Sequence, residues 1–231
     1  MNDVDIPRLT RLVAQRVRAG IRDRTFVPGE IYSVQRIADH VGVSRSPARE
    51  ALLGLASAGL VRFVRNRGFR ILLPDAREIA EIFGVRLALE VPAVRHLARH
   101  ATSVQREALG ERMRALETAA SGADPERFWP EDRDLHTWLV DAAGNRRAAA
   151  VVAELREVTA LLGEPTVPAS RTLLDVDAEH KAIVSAIDAG DVDAAGAAAR
   201  VHLERTARLL MDQVATGDAP GVDTAALWGP F

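Results

Sequence analysis

"VGVSRSPAREALLGLASAGLVRFVRNRGFRI" occupies residues 41–71 and joins two kinds of sequence. A short turn, "VGVS", leads into a helical pattern that opens with Arg45 and Arg49. A second run then alternates apolar residues with arginine around an "RNRG" tip. Ser46 before Pro47 reads as an N-cap with proline at the first helical position. Gly59 stands where a helix C-terminal glycine belongs. "LVRFV" and "FRILL" read as two strands joined by Arg65, Asn66, Arg67 and Gly68, with the glycine available for positive φ.

The residues upstream complete a module. Leu9, Leu12, Val13, Val17 and Ile21 give residues 7–24 an apolar face at helical spacing. "VPGE" is a turn, Ile31 and Tyr32 allow a very short strand, and Ser33 can cap a helix over 34–41. Gly42 supplies the next turn. Helix, short strand, helix, turn, helix and hairpin is the order of a winged helix-turn-helix, closed by Pro74 and Asp75. Such a module fits a polyanion. A helix N-terminus favours phosphate through its free N–H groups and partial positive charge. Arg45 and Arg49, four apart, share one face there and can clamp phosphate or read guanine in the major groove. Ser44 and Ser46 are short donors suited to phosphate. Arg65 and Arg67, beside Gly68, can reach an adjacent groove or backbone.

Charge distribution agrees with this division. The 231 residues carry a net charge of -2. Residues 1–74 hold 13 Arg against 6 Asp and Glu, a net of +7, and the remainder carries -9. Asymmetry of this kind suggests a polyanion-binding half joined to something else. With 29 Arg and a single Lys, genome composition lowers the weight of arginine counts taken alone. Cysteine is absent, which excludes disulfides and thiolate chemistry. No apolar run approaches the roughly 18–20 residues of a membrane span, and the N-terminus lacks the apolar core of a signal peptide. A cytoplasmic protein with no membrane association is the expectation.

Beyond Pro74 the patterns are helical, near 76–101, 104–121, 126–143, 146–162, 176–189 and 191–214, with "GEPTVPASRTLLD" as a long loop. Six helices with mostly short connections predict an antiparallel bundle. The expected organisation is mainly α: a winged helix-turn-helix over 1–74, an all-α bundle over 75–214, and a flexible tail over 215–231.

Asp132 and His136 are four apart, on one face of a helix. His180 lies ten residues before Gly190 and His202 twelve after it. At 1.5 Å per residue these are about 15 and 18 Å from that turn. In an antiparallel hairpin the two histidines therefore reach similar heights. One carboxylate and three imidazoles would suit Zn, Ni or Mn. Spacing alone leaves open both a metal site and three unrelated histidines. His96 and His100, also four apart, neighbour Arg95 and Arg99 and read as a solvated basic helix end, and His40 carries no ligand signal either. Three His plus Asp can also activate water in an enzyme, but no further general acid or base and no nucleophile elbow is placed. A metal-stabilised scaffold without a small-molecule response is the other alternative.

The N-terminal motifs resemble a known family. "FVPGE", "IADHVGVSRSPAREALLGLASAGLV" and "RGFRI" resemble the DNA-binding domain of the GntR family of bacterial transcription regulators, over residues 10–73. The resemblance implies DNA contacts by Arg45 and Arg49 and a wing glycine at Gly68. Some members place another DNA-contacting arginine where this chain has Gln35, with Arg36 beside it. "VRLALEVPAVRHLARHAT", "DRDLHTWLVDAAGN" and "EHKAIVSAIDAGDVDAAGAAARVHL" resemble the FCD ligand-binding domain of the FadR-type branch, in its six-helix, VanR-like form. That resemblance implies a divalent metal on Asp132, His136, His180 and His202. Arg86 and Glu90 match the domain's paired positions, either as an intrahelical ion pair or with Arg86 anchoring a carboxylate effector. A homodimeric repressor rather than an enzyme follows as the expectation, acting on a pseudo-palindromic double-stranded operator and answering to a small organic acid.

Overall fold

The structure, a computed structural model, describes residues 6–162 and 171–218 of the chain. These residues form two compact units, 6–74 with 158–162, and 75–157 with 171–218. Among them no helix is long and apolar enough to cross a membrane.

The first unit is built on three helices and a small sheet. Helix α1 (Ile6–Arg22) buries Val13, Val17 and Ile21 and packs on the helix α3 (Arg45–Ser57). Strand β1 is Ile31–Tyr32, and α2 runs Val34–Val41. The limits of α2 agree with the sequence reading because both ends are punctuated. The Ser33 hydroxyl accepts the Arg36 N–H, and Gly42 turns out with φ 76°. Helix α3 (Arg45–Ser57) corrects the expected start by two residues. Ser44, not Ser46, is the N-cap, and Pro47 is the third helical residue. The N–H groups of a first helical turn have no intrahelical acceptor, so proline is tolerated at the third position as well as at the first. At the other end Gly59 takes φ 77°. Its N–H reaches Ala56 O at 3.1 Å while Leu60 N–H reaches Leu55 O at 2.9 Å, a Schellman closure.

Strands β2 (Val61–Val64) and β3 (Gly68–Ile71) form the hairpin, and β1 adds to β3, giving the antiparallel order β1-β3-β2. Val61 pairs with Ile71 and Phe63 with Phe69. Val61, Phe69 and Ile71 are buried, so the alternate residues Arg62 and Arg70 lie on the solvent face.

The second unit is all helical: α4 (Ala76–His100), α5 (Ser103–Ser121), α6 (Pro125–Ala142), α7 (Arg146–Thr159, its last two residues belonging to the first unit), α8 (Leu173–Ala189) and α9 (Val192–Asp218). Helix α4 packs against α9, α8 and α6, and α5 against α6 and α8. Reciprocal capping boxes start three of them, Asp75 with Glu78, Thr102 with Gln105, and Thr172 with Asp175. The last box moves the start of α8 to Leu173, three residues before the expected 176. Helix α7 ends at Thr159 and passes into a 3-10 turn over Ala160–Leu162. Helix α9 continues four residues past the expected 214, since no proline intervenes before Pro220. Residues 163–170 of the expected loop and residues 219–231 of the expected tail lie outside the described residues.

Candidate metal centre and nucleic-acid interface

Helices α6, α8 and α9 bring Asp132, His136, His180 and His202 together, with one ligand atom from each within 4.8 Å of all the others. All four are buried, none more than 5% exposed. The nitrogens that converge are Nε2. His136 Nε2 lies 3.1 Å from His180 Nε2 and 3.2 Å from His202 Nε2, and Asp132 Oδ1 lies 3.2 Å from His180 Nε2.

For His136 and His202 the opposite ring nitrogen explains why Nε2 faces inward. His136 Nδ1 meets Glu90 Oε2 of α4 at 2.5 Å, and His202 Nδ1 meets Glu179 Oε2 of α8 at 2.8 Å. A carboxylate on Nδ1 holds the proton there and leaves Nε2 as a bare lone pair. Two such lone pairs at 3.2 Å have no hydrogen to share. A cation between them resolves the repulsion, and donors about 2.0–2.1 Å from a metal stand roughly 3 Å apart. The donor set thus fits a divalent ion. Both supporting carboxylates are themselves held by arginine. Arg86 Nε donates to Glu90 Oε1 at 2.7 Å, and Arg171 Nη1 to Glu179 Oε2 at 2.7 Å. Asp132 divides its oxygens, Oδ1 toward the imidazoles and Oδ2 to Arg156 of α7.

Electrostatics set the protonation this chemistry needs. Burial, then Arg156, push His136 down to about 4, against the pull of Glu90. Burial and the neighbouring imidazoles hold His202 well below the usual histidine range. Burial opposes the charge of Asp132, but Arg156 and His180 outweigh it and keep its carboxyl well below the usual range. Glu90 is lowered in the same way, with Arg86 and His136 overcoming burial. A neutral His136 and His202 beside ionised Asp132 and Glu90 are what a divalent cation takes without displacing protons.

These shifts give a pH prediction for chelator-treated protein. Unfolded histidine titrates near 6.5, and His136 and His202 in the fold titrate lower. The unfolded chain therefore binds more protons below pH 6.5, and stability falls as pH falls toward about 4. Carboxylates add to the loss only below their ordinary 4.5 and 3.8. Melting temperature should therefore drop between pH 6.5 and 4.5. A flat profile there would mean that the imidazoles accept protons freely in the fold.

In the first unit the side chains expected to meet DNA are accessible to solvent. Arg45, Arg49, Arg65 and Arg67 are all exposed, as are Ser44 and Ser46. The Ser44 hydroxyl makes no capping bond. Gln35 donates to Asp39 Oδ1 at 2.7 Å, and the Arg36 guanidinium lies 4.8 Å from the Tyr32 ring centroid. His96 and His100 stand exposed at the end of α4, outside the four-residue cluster. His40 packs edge-on against Phe26.

Two family models match the chain: "Bacterial regulatory proteins, gntR family" over residues 9–71 and "FCD domain" over residues 81–205. The chain belongs to the GntR family and carries an FCD domain. The HTH-type transcriptional repressor NanR of Citrobacter rodentium is 30% identical over 220 residues, covering 85% of this chain and 83% of that one. The probable D-xylose utilization operon transcriptional repressor of Paenarthrobacter nicotinovorans is 30% identical over 210 residues, 87% and 90% of the two chains. A putative GntR regulator from Rhodococcus sp. RHA1 superposes with TM-score 0.72 at 25% identity, over 89% of this chain and 98% of that one. E. coli McbR/YncC shares the fold with TM-score 0.72 at 19% identity, over the same shares. GntR-family proteins are transcriptional regulators that bind DNA operators and typically dimerise, not enzymes.

Within this GntR regulator, sequence reasoning missed Glu179, Arg156 and Arg171, and placed Glu90 with Arg86 as an effector-binding pair without seeing its contact with His136. Glu179 adjoins His180 in the chain yet serves His202, because residues i and i+1 on a helix do not face each other. Asp134, two residues from His136, lines a separate surface groove of 350 Å³ with Arg112 and Trp138.

Proposed function

We propose that this GntR-family chain is an operator-binding repressor whose DNA affinity answers to a small carboxylate taken up at a metal site. The observation that carries the reading is the inward convergence of three Nε2 atoms and Asp132 Oδ1, with Glu90 and Glu179 behind two of the imidazoles. Asp132, His136, His180 and His202 would hold Zn, Ni or Mn, and the ion would supply a Lewis-acidic anchor for a carboxylate. Arg86 spends Nε on Glu90, which leaves its Nη donors for the same acid. In this reading residues 1–74 are the DNA-binding domain and 75–214 the effector and dimerisation domain of a cytoplasmic homodimer on a pseudo-palindromic operator. The repressor names of two relatives support the direction of control. A ligand shifts an equilibrium only by its differential affinity, so an inducing acid must prefer the arrangement that does not bind DNA.

Metal analysis of untagged protein purified without chelator tests the centre. About one divalent ion per chain is expected, with a rise in melting temperature on adding Zn, Ni or Mn to stripped protein. His180→Ala should abolish that rise. No ion and no rise would reduce the cluster to core packing. The DNA side is tested on genomic fragments selected by the protein. Arg45→Ala and Arg49→Ala should each weaken specific binding by about 1–3 kcal/mol where the contact is bidentate to a base. Unchanged affinity in both would remove α3 as the recognition helix.

A further inference from the structure

The wing carries more charge than its tip accounts for. Strand alternation buries Val61, Phe69 and Ile71 and leaves Arg62 and Arg70 exposed on the opposite face. The register sets these two arginines directly opposite each other across β2 and β3. Side chains so paired stand about 4.5–5.5 Å apart at Cβ, where like charges destabilise the strands. The chain has no Asp or Glu between Glu50 and Asp75 to offset them.

Abundance of arginine does not explain the pattern. In the helical unit arginines find carboxylates, as in Arg77–Glu81, Arg95–Asp193 and Arg133–Glu157. Among the described residues Arg62, Arg65, Arg67 and Arg70 are in no ion pair. Two opposed guanidinium groups without an internal counter-charge suit an anion that arrives from outside.

We propose that Arg62 and Arg70 form a second phosphate-binding surface, on the outer face of the wing, that grips the DNA backbone beside the groove entered by the tip. This rests on the operator-binding reading above. A guanidinium presents a planar fork that matches phosphate oxygens. Each DNA strand offers a phosphate about every 3.4 Å of helix axis, so both arginines can be served by one stretch of backbone. Such contacts carry no base information. They lengthen the bound site and raise affinity for any duplex without changing sequence preference.

The test uses the full chain with Arg62→Thr and Arg70→Thr together, threonine being at home in a strand. Binding is measured to a genomic duplex selected by the wild type and to a random duplex of equal length, across about 50–200 mM salt. The slope of log affinity against log salt should flatten by about 1.8 per bound chain, two contacts at about 0.9 each. Affinity for both duplexes should fall by the same factor, and their ratio should hold. Arg62→Lys with Arg70→Lys should restore most of the slope, which separates lost charge from a damaged hairpin. An unchanged slope, or a loss confined to the selected duplex, would overturn the proposal. A wild type that binds neither duplex would remove the operator-binding reading first and this one with it.

Discussion

Replacing Arg156 by alanine is expected to destabilise the metal-free helical unit by about 3–5 kcal/mol, the cost of leaving a buried charge without its partner. Arg156 and Asp132 are both buried and in direct contact. Removing the guanidinium leaves Asp132 facing three imidazoles, of which His136 and His202 resist protonation. The same carboxylate is a proposed metal ligand, so the loss should depend on loading. A divalent ion supplies the positive charge that Arg156 supplied, and saturating metal should recover much of the stability. Thermal or denaturant unfolding with chelator and with excess Zn checks this. Equal losses in both conditions would mean that Arg156 acts through packing rather than through Asp132. Arg86→Ala should behave similarly through Glu90, which would be left buried beside His136.

What the sequence made legible follows from how local each signal is. Helix α2 could be delimited because Ser33 and Gly42 act within one turn of its ends. The start of α3 was misplaced because proline is tolerated throughout the first helical turn, and only the backbone shows which position it takes. The four candidate ligands could be picked from an i, i+4 pair and equal heights about a helical turn, both properties of single elements. Their supports could not. Glu90 is 46 residues from His136, and Glu179 is 23 from His202. Arg156 reaches Asp132 from another helix. Those pairings depend on how helices pack, which no spacing along the chain encodes. The Arg86–Glu90 pair was visible as an intrahelical contact, but burial changes its weight from a few tenths of a kcal/mol on a surface to a charge pair whose breaking is costly.

Gly68→Ala is expected to destabilise the winged-helix unit by more than about 3 kcal/mol and to abolish DNA binding. Gly68 opens β3 at φ 123°, where a side chain is strained whatever the space around it. Space is also lacking. A Cβ on Gly68 would lie 2.1 Å from the Tyr32 carbonyl oxygen and 3.1 Å from the Ser33 Cα. Both are backbone atoms, so no rotamer change relieves the contact. Relief requires β1 to leave β3, which breaks the Tyr32–Phe69 pairing and disturbs Ser33, the cap of α2. One methyl group thus acts on the wing and on the helix-turn-helix together. Gly54 provides the control. It lies exposed within α3, a Cβ there meets nothing within 4 Å, and Gly54→Ala should be neutral or stabilising by up to about 1 kcal/mol. Metal-dependent melting of the helical unit should survive in both variants, because the proposed ligands and their carboxylate supports lie beyond Asp75. A Gly68→Ala protein that unfolds like wild type and still binds selected duplex would show that the β1–β3 approach yields without cost, and would remove the structural reason for glycine at the wing.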